Sequence, residues 1–136
     1  MQDKLQFFIN QTSFTERPSA PLAPFQYQEL IKALNFHRSI PGYAPTPLYS
    51  LPALSQKLGI KSLCLKDESQ RFGLKAFKVL GGAYAMACHI ADILGKDISE
   101  LPFDVMTSDE TRKALKEVTF ATTTDGNHGR GVAWMA

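Results

Sequence analysis

Lys78 stands between Phe77 and the run Val79-Leu80-Gly81-Gly82-Ala83. That apolar, glycine-containing pattern predicts a helix over 76–94 with the lysine in its first turn. The macrodipole at a helix start disfavours an ammonium group, and apolar neighbours do the same. Both raise the fraction of free amine, which can attack an aldehyde and form a Schiff base. Further along comes Asp125-Gly126-Asn127-His128-Gly129-Arg130-Gly131, a polar, glycine-rich turn that opens a second helix. Such a turn lets backbone approach a flat or anionic ligand closely. A nucleophilic lysine together with such a turn suggests a site for pyridoxal phosphate.

Each residue also has a plainer reading. Lys78 could belong to a buried helix whose two glycines serve helix packing alone. Glycine costs about 1 kcal/mol against alanine inside a helix, so the pair implies a close approach, to another backbone or to a ligand. Asn127 can donate and accept, which suits a ring hydroxyl. His128 could simply bond nearby backbone. Asp125, just before a helix, is either an N-cap or, in a cleft, a proton acceptor. As a dinucleotide fingerprint the turn is loose, and no P-loop spacing is present.

The elements that must position these groups read as alternating helix and strand. Leu30, Ile31 and Leu34 lie at helical spacing within 25–36, and Pro52 starts a short helix that Gly59 ends as a left-handed cap. Residues 60–66 and 118–123 read as strands, Gly95 closes the lysine helix, and Thr107-Ser108-Asp109-Glu110 is a capping-box pattern opening a helix to about Lys116. This βαβ-like order favours an α/β fold with a parallel sheet. Pro18, Pro21 and Pro24 make residues 1–24 an extended arm.

Composition excludes several classes. The chain of 136 residues is 44% hydrophobic and 21% charged, which is globular, and its net charge of +2 carries no basic run for nucleic acid. No apolar stretch approaches the roughly 18 residues of a membrane span. Cys64 and Cys88 lack the spacing of a zinc site or disulfide framework, so no metal is expected. The start Met1-Gln2-Asp3-Lys4-Leu5 lacks the marks of a secretory signal, so the cytoplasm is the expected compartment.

Four motifs, in order, resemble the fold-type II family of pyridoxal phosphate enzymes, the tryptophan synthase β-like group. Ala76-Phe77-Lys78-Val79-Leu80-Gly81-Gly82-Ala83 stands for its Ser-Phe-Lys-x-Arg-Gly-Ala lysine motif, and Gly126 to Gly129 for its Gly-Asn-His-Gly turn. Thr46-Pro47-Leu48 and Lys66-Asp67-Glu68 match its Thr-Pro-Leu and Lys-x-Glu segments. Ala76 where serine is usual, Asp125 directly before the turn, and Arg71-Phe72-Gly73-Leu74 resemble the branch that eliminates ammonia from 2,3-diaminopropionate. Lys75 departs from the branch, where a smaller polar residue is expected.

The resemblance implies part of a two-domain fold-type II architecture with parallel sheets. Residues 25–95 would be the first part of the large domain, and 96–136 the truncated start of the small one. It implies pyridoxal 5′-phosphate as cofactor and a lyase giving pyruvate and two ammonia from a small amino-acid substrate, as a homodimer when complete. Lys78 would hold the cofactor and abstract the α-proton of one enantiomer, and Asp125 would serve the other. Phe77 would lie against the pyridine ring, and Asn127 would bond its 3′-hydroxyl. The family's phosphate-binding loop and pyridine-nitrogen partner come later than Ala136. The expectation is therefore an N-terminal part, inactive alone. A serine or threonine dehydratase of the same fold, or a non-catalytic fragment, are the alternatives.

Overall fold

A proline sets the end of the first helix. Leu30, Ile31, Leu34 and Phe36 keep helical spacing, and α1 runs Tyr27–Ser39, beyond the expected end at 36. Ile40 precedes Pro41, whose ring pushes it out of the helical region, and Ile40 is extended at φ −72°. The structure, a computed structural model, describes residues 25–115, 117–123 and 126–136. The expected arm over 1–24 lies outside them.

Strand β1 (Leu48–Ser50) leads into α2 (Pro52–Leu58), which has proline in its first turn. Gly59 at φ 66° ends α2: its N–H reaches Gln56 and Ser55 carbonyls, and the Ile60 N–H donates to Ser55. This is a Schellman closure. Strand β2 (Cys64–Lys66) then returns beside β1, pairing Leu48 with Lys66 and Ser50 with Cys64. The pairing is antiparallel, and β1 is a strand that the sequence reading did not expect. Helix α2 has two turns only and the left-handed cap reverses the chain, so β2 meets β1 from the opposite direction instead of crossing over.

Helix α3 (Lys78–Leu94) is the centre of the described structure. It starts two residues later than predicted, because Lys75 is left-handed at φ 60°. Gly95 at φ 64° ends it, with Lys96 N–H donating to Ala91 in a second Schellman closure. One face carries Ala83, Ala87 and Ala91 four residues apart, all buried. Small side chains let α1 and the following turns come close, and Phe36, Ile40, Ile98, Leu101 and Met106 complete the core around them. The 3-10 turn Ile98–Glu100 opens with a capping box between Asp97 and Glu100, and α4 (Phe103–Met106) follows. The Ser39 hydroxyl accepts from Phe103 N–H at 2.8 Å and so ties the end of α1 to α4.

Helix α5 (Asp109–Leu115) forms where the capping pattern predicts, with the Ser108 hydroxyl accepting from Thr111 N–H. The expected strand over 118–123 is not a strand, since nothing among the described residues pairs with it. Its side chains still alternate, with Val118 and Phe120 half-buried and Phe120 edge-on to His89 at 6.1 Å. Helix α6 (Asn127–Met135) then lies along α3. Among the described residues no helix is long and apolar enough to cross a membrane.

The α3–α6 approach runs through Gly131. A Cβ there would lie 3.0 Å from Val79 Cα and 3.3 Å from Val79 Cβ, against backbone that cannot turn aside. At Gly81 a Cβ would meet nothing within 4 Å, and at Gly82 only Val132 at 3.8 Å. The same substitution therefore has opposite effects. Gly131→Ala should lower stability by about 1–3 kcal/mol through overpacking. Gly81→Ala should raise it by about 0.5–1 kcal/mol through helix propensity. Urea midpoints at constant m-value measure both.

Candidate active site

Lys78 is the first residue of α3, and Phe77 before it offers no side-chain cap. Lys78, Phe77, Leu80, Gly81 and Gly82 line an open recess of about 580 Å³, and His128 of α6 closes its other side. The two sequence segments singled out for chemistry thus share one surface. Phe77 is 63% exposed and Lys78 is exposed, so the apolar enclosure expected around the lysine is a single wall here. Asn127, at the first position of α6, is exposed, His128 is half-buried, and Gly126 enters the helix at φ 83°. Asp125 lies outside the described residues.

The glycine pair finds its reason here. The close backbone contact belongs to Gly131, whereas Gly81 and Gly82 floor the recess with no protein atom crowding them. A floor without side chains suits a flat ring laid over the start of α3. Helix α3 starts at Lys78 on the rim of this recess, and α6 starts at Asn127, one residue before the His128 that lines it. The residues present therefore fit the ring and aldehyde of the expected cofactor: an exposed lysine amine beside a floor without side chains. A second cavity of about 250 Å³ lies near α5 and is lined by Met86, Ile90, Met106, Arg112, Phe120 and Met135. Its polar side chains are Thr107 and Arg112, and no lysine, cysteine, histidine or acidic side chain lines it among the described residues.

The chain reaches Lys78 through a bent loop. Glu68–Gly73 forms 3-10 turns with a kink, and Phe72 (φ 48°), Gly73 (φ 70°) and Lys75 (φ 60°) are left-handed. For the two residues with a side chain this costs about 1 kcal/mol or more each, so the surroundings must hold them. Arg71, 5% exposed, does much of this. Its Nε donates to Glu68 Oε2 at 2.9 Å and its Nη2 to Oε1 at 3.1 Å, a bidentate pair. Its Nη1 donates to the Ala44 carbonyl at 2.8 Å, and the guanidinium lies 5.2 Å from the Tyr43 ring centre. The Thr46 hydroxyl donates to Glu68, and Lys66 Nζ donates to the Thr46 carbonyl.

This network joins Thr46 and the Lys66-Asp67-Glu68 segment, which the sequence marks only by family likeness, to the loop before Lys78. Phe72 completes the link by stacking on Trp134 of α6, with ring centres 5.0 Å apart and planes 26° from parallel. The Arg71 guanidinium holds the Glu68 carboxyl below its ordinary range. Sequence reasoning also missed His37. Its Nε2–H donates to the Leu80 carbonyl at 2.8 Å, reaching the first turn of α3. Burial pushes its pKa down, and the Arg71 charge adds to that.

Comparison with known proteins places these features. The profile of the pyridoxal-phosphate dependent enzyme family matches residues 40–136. The diaminopropionate ammonia-lyase of Salmonella typhimurium is 52% identical over 105 residues, 77% of this chain and 26% of that protein. The enzyme of the same name from Escherichia coli K12 is 46% identical over 133 residues, 97% of this chain and 32% of its own length. The chain thus spans about a third or less of these curated relatives. Crystal structures of the Escherichia coli enzyme are similar in fold. The complex with D-serine has a TM-score of 0.73 at 46% identity, covering 87% of this chain and 29% of that one. The complex with an aminoacrylate–PLP azomethine reaction intermediate has a TM-score of 0.70 at 47% identity, covering 87% and 27%.

Two outcomes follow from the charges behind the lysine loop. Arg71→Met removes both guanidinium hydrogen bonds to the half-buried Glu68 carboxylate and should cost about 1.5–3 kcal/mol in chemical denaturation. Glu68 titrates lower in the folded state, so its contribution is present above the ordinary value of 4.5 and is lost as pH falls through the lower folded value. His37 is also lowered, so stability should decline as pH falls from its ordinary 6.5 toward the folded value. Removing either side chain should flatten its own part of the stability–pH curve.

Proposed function

The chain belongs to the pyridoxal-phosphate dependent enzyme family, and from that premise we propose that the whole protein is a carbon–nitrogen lyase converting 2,3-diaminopropionate and water to pyruvate and two ammonia. One observation carries the reading: Lys78 and His128, distant in sequence, line one recess floored by glycine. The names of the relatives supply the substrate.

When bound, pyridoxal phosphate supplies an aldehyde for an amine and a ring that takes up the electron pair left at the substrate α-carbon. The chain's own residues supply position and proton transfer. Lys78 Nζ would hold the cofactor and take the α-proton of one enantiomer. Asp125, next to Gly126, takes the α-proton of the other. Phe77 would lie against the cofactor ring, and Asn127 would hold its hydroxyl. Gly81 and Gly82 leave the space that side chains would fill. Loss of the α-proton lets the β-amine depart as ammonia, and hydrolysis releases the α-amine as the second.

In this reading residues 25–95 begin the large domain of a two-domain protein with parallel sheets, 96–136 begin the small one, and 1–24 form an arm. The whole protein works as a cytoplasmic homodimer.

The test uses the full-length protein with pyridoxal phosphate and either D- or L-2,3-diaminopropionate, with serine and threonine as comparators and keto-acid release as the signal. Pyruvate should form from both diaminopropionate enantiomers, and Lys78→Ala should abolish it. Asp125→Asn should slow one enantiomer by about 10²–10⁴-fold, the usual worth of a positioned base, and leave the other within a few-fold. Keto acid from serine or threonine alone would instead make the protein a dehydratase, with Asp125 as a helix cap.

A further inference from the structure

The first turn of α3 carries Lys78 and is weak by its own chemistry. Phe77, at the N-cap, makes no side-chain hydrogen bond to the turn that follows. Gly81 and Gly82 follow at once, each costing the helix about 1 kcal/mol relative to alanine. An isolated helix with this start would fray at Lys78. Something outside the helix must hold it.

Among the described residues, α1 and α6 both reach that turn. Val79 is 1% exposed and lies against Gly131 of α6. From the other side His37 of α1 places Nε2 2.8 Å from the Leu80 carbonyl. A carbonyl only accepts, so Nε2 carries the hydrogen. The ring is fixed from several directions: stacked on Tyr43 at 6.4 Å and 10°, and tilted against Phe36 at 5.8 Å and Tyr84 at 5.9 Å. Arg71 packs over Tyr43 as well, through the guanidinium that pairs with Glu68. Leu80 itself lines the recess beside Lys78.

We infer that His37 is a positioning residue for Lys78, anchoring the first turn of the lysine helix to α1 through the Leu80 carbonyl. The inference rests on the reading of Lys78 as the cofactor-holding base. His37 touches neither the recess nor a substrate there; it acts two residues away, through the backbone. Loss of its donor should loosen residues 78–84 and leave the far half of α3, seated by Ala87 and Ala91, as it was.

The test compares His37→Leu with His37→Gln, whose amide nitrogen can take the place of Nε2. Amide hydrogen exchange of the cofactor-free full-length protein is read over 78–84 and over 87–94. In His37→Leu the first segment should exchange roughly tenfold faster, about the worth of one hydrogen bond, with the second unchanged. His37→Gln should restore the wild-type rate to within a few-fold. In the loaded enzyme kcat should fall in His37→Leu and recover in His37→Gln, with KM changing less. Unchanged exchange over 78–84, an equal rise in both segments, or a local rise with wild-type kcat would each overturn the assignment. Turnover by Lys78→Ala is measured alongside. If that variant keeps its activity, the reading of Lys78 fails separately, whatever the exchange shows at His37.

Discussion

Val79 and Gly131 touch where a side chain on residue 131 would collide with backbone, and the relative placement of α3 and α6 follows from that contact. Lys78 is the neighbour of Val79, and His128 lies one turn before Gly131. Bringing the two helices together at this point therefore brings their first turns to one recess. A close crossing permitted by one glycine is how a lysine and a polar turn, separated by most of the second half of the chain, become one surface. The other glycines of these helices have a different use. Gly81 has nothing within 4 Å of a Cβ and Gly82 only Val132 at 3.8 Å, so both leave room, whereas Gly131 is crowded because it admits a helix.

The lysine helix is held at its start by its neighbours more than by its own residues. Its second turn is glycine and its N-cap is a phenylalanine, yet it begins where a catalytic amine would need to be fixed. Burying Arg71 against Glu68, the Ala44 carbonyl and the Tyr43 ring steadies the left-handed loop that delivers Lys78. A guanidinium removed from water needs this many partners, so the loop geometry and the charge pairing depend on each other. Phe72 on Trp134 extends the same anchoring to α6, and His37 on Leu80 extends it to α1.

Local signals in the sequence served well for the helices. Pro52 and Gly59 bracket α2, Gly95 closes α3, and Ser108 caps α5, each through chemistry confined to a few neighbouring residues. The error at the end of α1 came from following the apolar pattern and passing over the stop signal at Pro41. The strands were harder. Of residues 60–66 only Cys64–Lys66 pair, and 118–123 keep a strand's alternation without a ladder. A strand depends on a partner's backbone, and no local pattern reports whether that partner is there or which way it runs.

The sequence by itself determined which residues could carry the chemistry: a lysine before two glycines, an asparagine–histidine pair inside a glycine turn, and motifs in the order of one enzyme family. These are statements about residue type and short spacing, and both survive being read in one dimension. Tertiary structure decided that β1 and β2 run antiparallel, that Gly131 and not Gly81 is the close contact, and that Glu68, Arg71 and His37 support the lysine. Each depends on groups far apart in the chain meeting at hydrogen-bond or van der Waals distance. Such distances are set by how helices pack, and a spacing in sequence carries no record of them.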